Sequence, residues 1–182
     1  MKMLSTAIVL AGAVVAPAMG GVIDQNQDDN SAYMAAFDQG DLAQSFQQSA
    51  NSISGAGIFL QDGIGTSDTV TITLYDALPN AGGLALAMGS AVGNAGSWVD
   101  VSWNSVSIDA DTEYFLVFTS ATDTLGIAGS LDNPYDRGQV YANTGYQGFE
   151  TFDYAFRTYA VPAPGALAVL GAGGLLAGRR RR

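Results

Sequence analysis

The 182-residue chain contains no cysteine and no histidine. Without cysteine no disulfide can staple the fold, and thiol catalysis and cysteine-ligated metal are excluded. Without histidine the chain lacks the side chain that titrates nearest neutral pH, the usual partner of a serine nucleophile and the commonest zinc ligand. Any enzyme made from these residues would have to run on carboxylates. Positive charge is scarce too. Between Gly21 and Ala160 only Arg137 and Arg157 are basic, while all seventeen Asp and Glu lie between Asp24 and Asp153. The body therefore carries 2 − 17 = −15, against −10 for the whole chain. Such a body has no electrostatic affinity for nucleic acid or anionic lipid. It also lacks any sustained 3.6-residue apolar period.

What is present is concentrated differently in three stretches. Residues 1–20 have a positive start at Lys2, an apolar run from Ala7 to Ala16, and small residues in Ala16-Pro17-Ala18. This is the pattern of a secretory signal peptide, with the mature chain expected to begin near residue 21. Residues 161–182 read VPAPGALAVLGAGGLLAGRRRR. The uncharged run Gly165–Gly178 would span about 21 Å as a helix, short of the ~30 Å bilayer core. Arg179, Arg180, Arg181 and Arg182 form a stop-transfer cluster that the positive-inside rule keeps cytoplasmic. The expectation is a short, temporary inner-membrane anchor that holds the body outside.

Residues 21–160 read as a single all-β domain. Short alternating runs are separated by Gly, Asn, Asp and Pro clusters. In Thr69–Tyr75, Val70, Ile72 and Leu74 face one way and the threonines the other. In Trp98–Trp103, Val99, Val101 and Trp103 oppose Trp98, Asp100 and Ser102. Glu113–Thr119 is apolar on both faces, as a central strand requires. Phe152–Tyr159 alternates, with Phe152, Tyr154 and Phe156 opposite Asp153 and Arg157. Weaker strands are expected at Val22–Gln25, Ala43–Gln47, Ile53–Leu60, Leu84–Val92, Thr124–Ala128 and Gln139–Ala142. Ser31–Phe37 is the one helical candidate, expected as a turn or a short helix. Nine or ten such strands argue for an antiparallel, jelly-roll-like β-sandwich.

The C-terminal stretch resembles the PEP-CTERM sorting signal of Gram-negative bacteria. Val161, Pro162 and Pro164 occupy the motif positions, and Ala163 stands where the family's glutamate usually sits. The runs Leu42–Phe46, Val70–Gly83, Asp111–Phe118 and Asn133–Gly145 are similar to the secreted β-sandwich domains that often accompany that signal. The resemblance implies recognition and cleavage near the motif by exosortase, a membrane processing enzyme. It also implies delivery to the cell surface or to an exopolysaccharide or biofilm matrix.

Within the body, Asp24–Asn30 begins like a calcium loop. It has Asp29 and Ala35 where an EF-hand needs Gly and Glu, so no metal site is assigned and no cofactor is expected. The segment 130–149 mixes flat rings with polar side chains, the combination that sugar sites use. Asp132, Asn133, Tyr135, Asp136, Tyr141 and Tyr146, with Trp98 as a second platform, are the sugar-binding candidates. The alternative for the same residues is a turn at Asp132-Asn133-Pro134 whose tyrosines cover the end of the sandwich. Carboxylate pairs such as Asp132 with Asp136, or Asp109 with Asp111, resemble solvated turn residues more than a glycosidase site. The expected class is a non-enzymatic exported protein, with polysaccharide binding through the 130–149 segment as the alternative.

Overall fold

The computed structural model describes residues 21–161. The expected signal peptide, Pro162, Pro164 and Arg179–Arg182 lie outside the described residues. The strands are β1 (Val22–Gln27), β2 (Ala32–Ala36), β3 (Leu42–Gln47), β4 (Ser52–Gln61), β5 (Ser67–Tyr75) and β6 (Ala85–Asn94). They continue with β7 (Trp98–Ser107), β8 (Glu113–Ser120), β9 (Gly126–Ser130), β10 (Val140–Ala142), β11 (Gln147–Phe149), β12 (Asp153–Tyr154) and β13 (Phe156–Ala160). Two short 3-10 turns, Phe37–Gln39 and Pro79–Ala81, complete the ordered elements.

These strands form two antiparallel sheets. One has six strands in the order β11-β10-β3-β8-β5-β6. The other has seven, with β4 pairing β13 and β9 along one side and β7 along the other, and with β1, β2 and β12 at its margins. Strand parity sets which side chains meet between the sheets. Val70, Ile72 and Leu74 of β5 are fully buried. They pack with Leu42 and Phe46 of β3, Ile58 and Leu60 of β4, Val99 and Val101 of β7, and Leu116 and Phe118 of β8. Aromatic pairs join the layers: Phe46 with Phe156 at 6.4 Å, and Phe118 edge-on to Tyr154 at 5.9 Å. Burial of this apolar surface is the main driving force for the fold.

The hairpin of β6 and β7 crosses from one sheet to the other. Gly93 makes that crossing close, because a Cβ there would run into Leu60 and Val99. The chain ends also meet. Val22 pairs with Ala160 and Ile23 with Tyr159, so the body starts and finishes on adjacent strands.

Three expectations need correction. Ser31–Phe37 is a strand over most of its length, and only Phe37 joins a 3-10 turn. Ala32–Ala36 pairs with β9 through a bulge between Tyr33 and Ala35, and the Tyr33 ring lies over Gly126. Seven residues are too few to sustain an isolated helix, and a free sheet edge offers them backbone partners. Phe152–Tyr159 is not one strand. It breaks at Ala155 between β12, which pairs with β9, and β13, which pairs with β4. The alternation therefore holds only from Phe156 onward, and Asp153 is buried rather than outward. The count also rises above the expected nine or ten strands, because pieces as short as β11 and β12 pair.

Candidate functional site

The 130–149 segment divides its candidates among three environments. Asn133 takes a left-handed turn conformation at φ 46°, with Asp132 and Asp136 exposed beside it. Tyr135 then turns inward and is buried. Its ring meets Phe156 edge-on at 5.0 Å, and its hydroxyl donates to Gln25 Oε1 at 2.9 Å. This removes Tyr135 from any surface site: a buried phenol needs an internal acceptor, and Gln25 supplies one. Arg137 pairs with Asp111 and reaches Ser49, at the end of β3 and the start of β8. Tyr141 faces outward, since Val140 and Ala142 on either side of it point into the core, and Tyr146 is half-buried in the β10–β11 turn.

Trp98 stands on the other sheet, so it cannot share a platform with Tyr141 and Tyr146. The Arg157 guanidinium lies 4.2 Å from the centre of its indole, and Phe59 meets it edge-on at 5.6 Å. Arg157 grips Asp100 through both Nε and an Nη, and the Tyr159 hydroxyl donates to Asp100 Oδ1 at 2.7 Å. Arg157 therefore pairs across the sheet with Asp100, and not along its own chain with Asp153. The two lie on strands flanking β4 and meet above Gly57. A Cβ at Gly57 would occupy the position of the Asp100 carboxylate. Gly57→Ala should therefore lose about 1–3 kcal/mol, the usual range for overpacking. Urea unfolding of the two proteins checks this.

A second polar group is sealed between the layers. Gln44 Nε2 donates to Asp153 Oδ1 at 2.9 Å, and the Tyr135 backbone N–H donates to Asp153 Oδ2 at 2.9 Å. Gln44 Oε1 accepts from the Tyr154 N–H, and Gln48 Oε1 accepts from the Thr158 hydroxyl. Burial pushes the Asp153 carboxyl up to about 6, against the opposing pull of these hydrogen bonds. No cation is bonded to it among the described residues, so its negative charge is uncompensated at neutral pH. Sequence reasoning missed this group because its partners lie 18 and 109 residues away.

Asp68 is the counter-example. Burial alone would raise it, but hydrogen bonds from Thr122, Thr124 and Thr69 outweigh that and hold its carboxyl at about 2. The Thr122 hydroxyl donates at 2.8 Å and the Thr69 N–H at 2.7 Å. In the Asp24–Asn30 segment, Asp24 accepts from Ser49 N and Asp29 from Ser31 N, both as loop ties.

The outward face of the six-stranded sheet holds the groups that sequence reasoning only half found. By register, Gly148, Tyr141, Ala43, Val117, Thr73 and Met88 stand side by side across it. The neighbouring row is Ser45, Phe115 and Tyr75, and on the other side Thr119, Thr71 and Ser90. Phe115 and Val117 are only 8% and 7% exposed although they point outward. Tyr141 contributes to that cover, meeting Phe115 edge-on at 5.7 Å. The apolar character of both faces of β8 was therefore the available signal. Elsewhere, a shallow cleft of about 210 Å³ lies among Met34, Val140, Phe149, Phe152 and Tyr154, and no carboxylate lines it.

Val161, where the sequence places the start of the expected sorting motif, is 46% exposed immediately after the buried Ala160. No protein-family pattern matches the chain, and no curated protein matches its sequence.

Proposed function

We propose that this chain is a non-enzymatic exported protein of the cell surface or extracellular matrix, sorted through its C-terminal residues. In this reading an exosortase-type enzyme processes it near Val161–Pro164 while the tail pauses in the inner membrane. The alternation of successive strands between two sheets supports a jelly-roll-type body as the cargo. The observation that carries the reading is where packing stops. The last core residue is Ala160, and the motif begins at the next position. Cutting within Val161–Pro164 would leave every strand and every core contact in place. Because Val22 pairs with Ala160, the expected signal-peptide junction and the tail junction also leave the body at one place. Both addresses can then be removed without unfolding what they deliver.

Intact mass of the protein recovered outside cells that carry an exosortase tests this. The expected mass lacks both the first ~20 residues and everything beyond the Val161–Pro164 motif, as the signal-peptide and tail patterns require. Full-length tail on the external protein would overturn it.

A further inference from the structure

We propose that the outward face of the six-stranded sheet is a binding platform for an uncharged polysaccharide chain, with Tyr75, Tyr141 and Tyr146 as its rings. This deepens the matrix reading above by naming the class of partner and the surface that meets it. A sugar presents an apolar C–H face and a rim of hydroxyls, so its binding surface needs flat rings beside hydrogen-bonding groups. This face has both, in adjacent rows. Tyr75 lies opposite Phe115, and Phe115 meets Tyr141. Tyr146 joins them from the β10–β11 turn, whose Gly145 is tied to Asn80 of the β5–β6 loop and to Asp41 ahead of β3. All three tyrosines are half-buried, so their rings are fixed at the surface instead of sweeping through solvent. The bound chain loses less freedom on a surface that is already ordered.

The adjoining half of the face is lined with hydroxyls. Thr71, Thr73 and Thr119 alternate outward, and Thr71 Oγ1 and Ser90 Oγ sit 2.7 Å apart. The turn that carries Tyr146 is braced from two sides. Asn80 Nδ2 donates to Gly145 O at 2.8 Å, and Gly145 N donates to Asp41 Oδ2 at 2.7 Å.

Charge selects among polymers. Asp41 lies beside Tyr146, and Glu113 and Glu150 lie near Tyr141. Neither arginine of the body serves this face: Arg157 is on the opposite sheet, and Arg137 is held by Asp111 at the sheet's end. Polyanions are therefore repelled, and so is a second copy of a body carrying −15. An uncharged glycan meets no such penalty.

The test uses the full chain in mild detergent, run by affinity electrophoresis through gels containing glucan, galactomannan or alginate. The expected result is retardation by at least one neutral polymer and none by alginate. Tyr141→Ala and Tyr75→Ala should each weaken that retardation about tenfold, in the range of losing one stacked ring. Thr73→Glu, which alters no core residue, should weaken it as well. Trp98→Ala on the opposite sheet should leave it unchanged. Circular dichroism of each variant separates lost binding from lost folding. Free migration of the parent in every neutral polymer would overturn the platform, as would retardation that survives Thr73→Glu and both tyrosine variants. Sedimentation showing a dimer that Thr73→Glu dissociates would also overturn it, assigning the face to a second copy. None of these outcomes touches the tail-processing experiment, which reads mass and not binding.

Discussion

Tyr154→Ala should destabilise the protein by about 3–5 kcal/mol, the range for emptying a large aromatic site in a packed core. Tyr154 is fully buried and is the bulkiest such side chain among the described residues. Its ring meets Phe118 edge-on at 5.9 Å, so its loss opens a cavity facing both sheets. Tyr154→Phe is the informative partner. The hydroxyl reaches only Tyr141 O, at 3.5 Å, so removing it alone should cost about 1 kcal/mol or less. The total stability of a small domain is of order 5–15 kcal/mol. The alanine variant should therefore show a much lower urea midpoint, with the phenylalanine variant near the parent. Equal losses in the two would mean that the hydroxyl, not the packing, matters at this position.

Acidity should move stability in two opposite steps. Asp153 has its carboxyl raised to about 6 from an ordinary 3.8. Between these values the folded chain keeps a proton that the unfolded chain has released. Stability from this group is thus fully present below about pH 4 and is lost as pH rises through about 6, by about 3 kcal/mol in all. Asp68 works the other way, because its carboxyl is held at about 2. Its contribution of about 2 kcal/mol is present above about pH 4 and is lost as pH falls toward 2. Together the two place a maximum near pH 4. Urea midpoints measured from pH 2.5 to 7.5 check this. Asp153→Asn should flatten the arm between pH 4 and 6 and leave the acid arm alone. Superimposable profiles for parent and variant would show that Asp153 is not the group responsible.

Much of the fold is legible in strand parity. The alternation of Thr69–Tyr75 and Trp98–Trp103 places the correct residues in the core, because a pleated strand has only two faces. The apolar run Glu113–Thr119 correctly marks a strand flanked on both sides, β8 between β3 and β5. Parity fails where the chain leaves one sheet for another. Phe152–Tyr159 reads as one strand, yet the break at Ala155 carries Asp153 inward, and no local pattern records that. Ser31–Phe37 fails for a related reason, since the vacant edge of β9 decides its conformation.

The candidate site was less legible than the fold. Tyr135 and Tyr141 look alike in sequence, both tyrosines among polar loop residues. One is buried because Gln25, 110 residues away, accepts its hydroxyl. The other stays outside because β10 turns Val140 and Ala142 inward. The sequence alone does not separate Trp98 from Tyr141 and Tyr146, because sequence distance says nothing about which sheet a strand joins. Tyr75 lies outside the aromatic 130–149 segment, although it continues the threonine side of its own strand.

The position of β13 has a mechanical consequence. Whatever tows this chain from residue 161 pulls on a strand that is not at an edge: β1 lies along one side of it and β4 along the other. A load along the axis of β13 therefore strains the bonds of both flanks at once, in shear, where an edge strand would peel away one bond at a time. A pull applied at residue 161 would thus be resisted by the interior of the sheet and not by its margin.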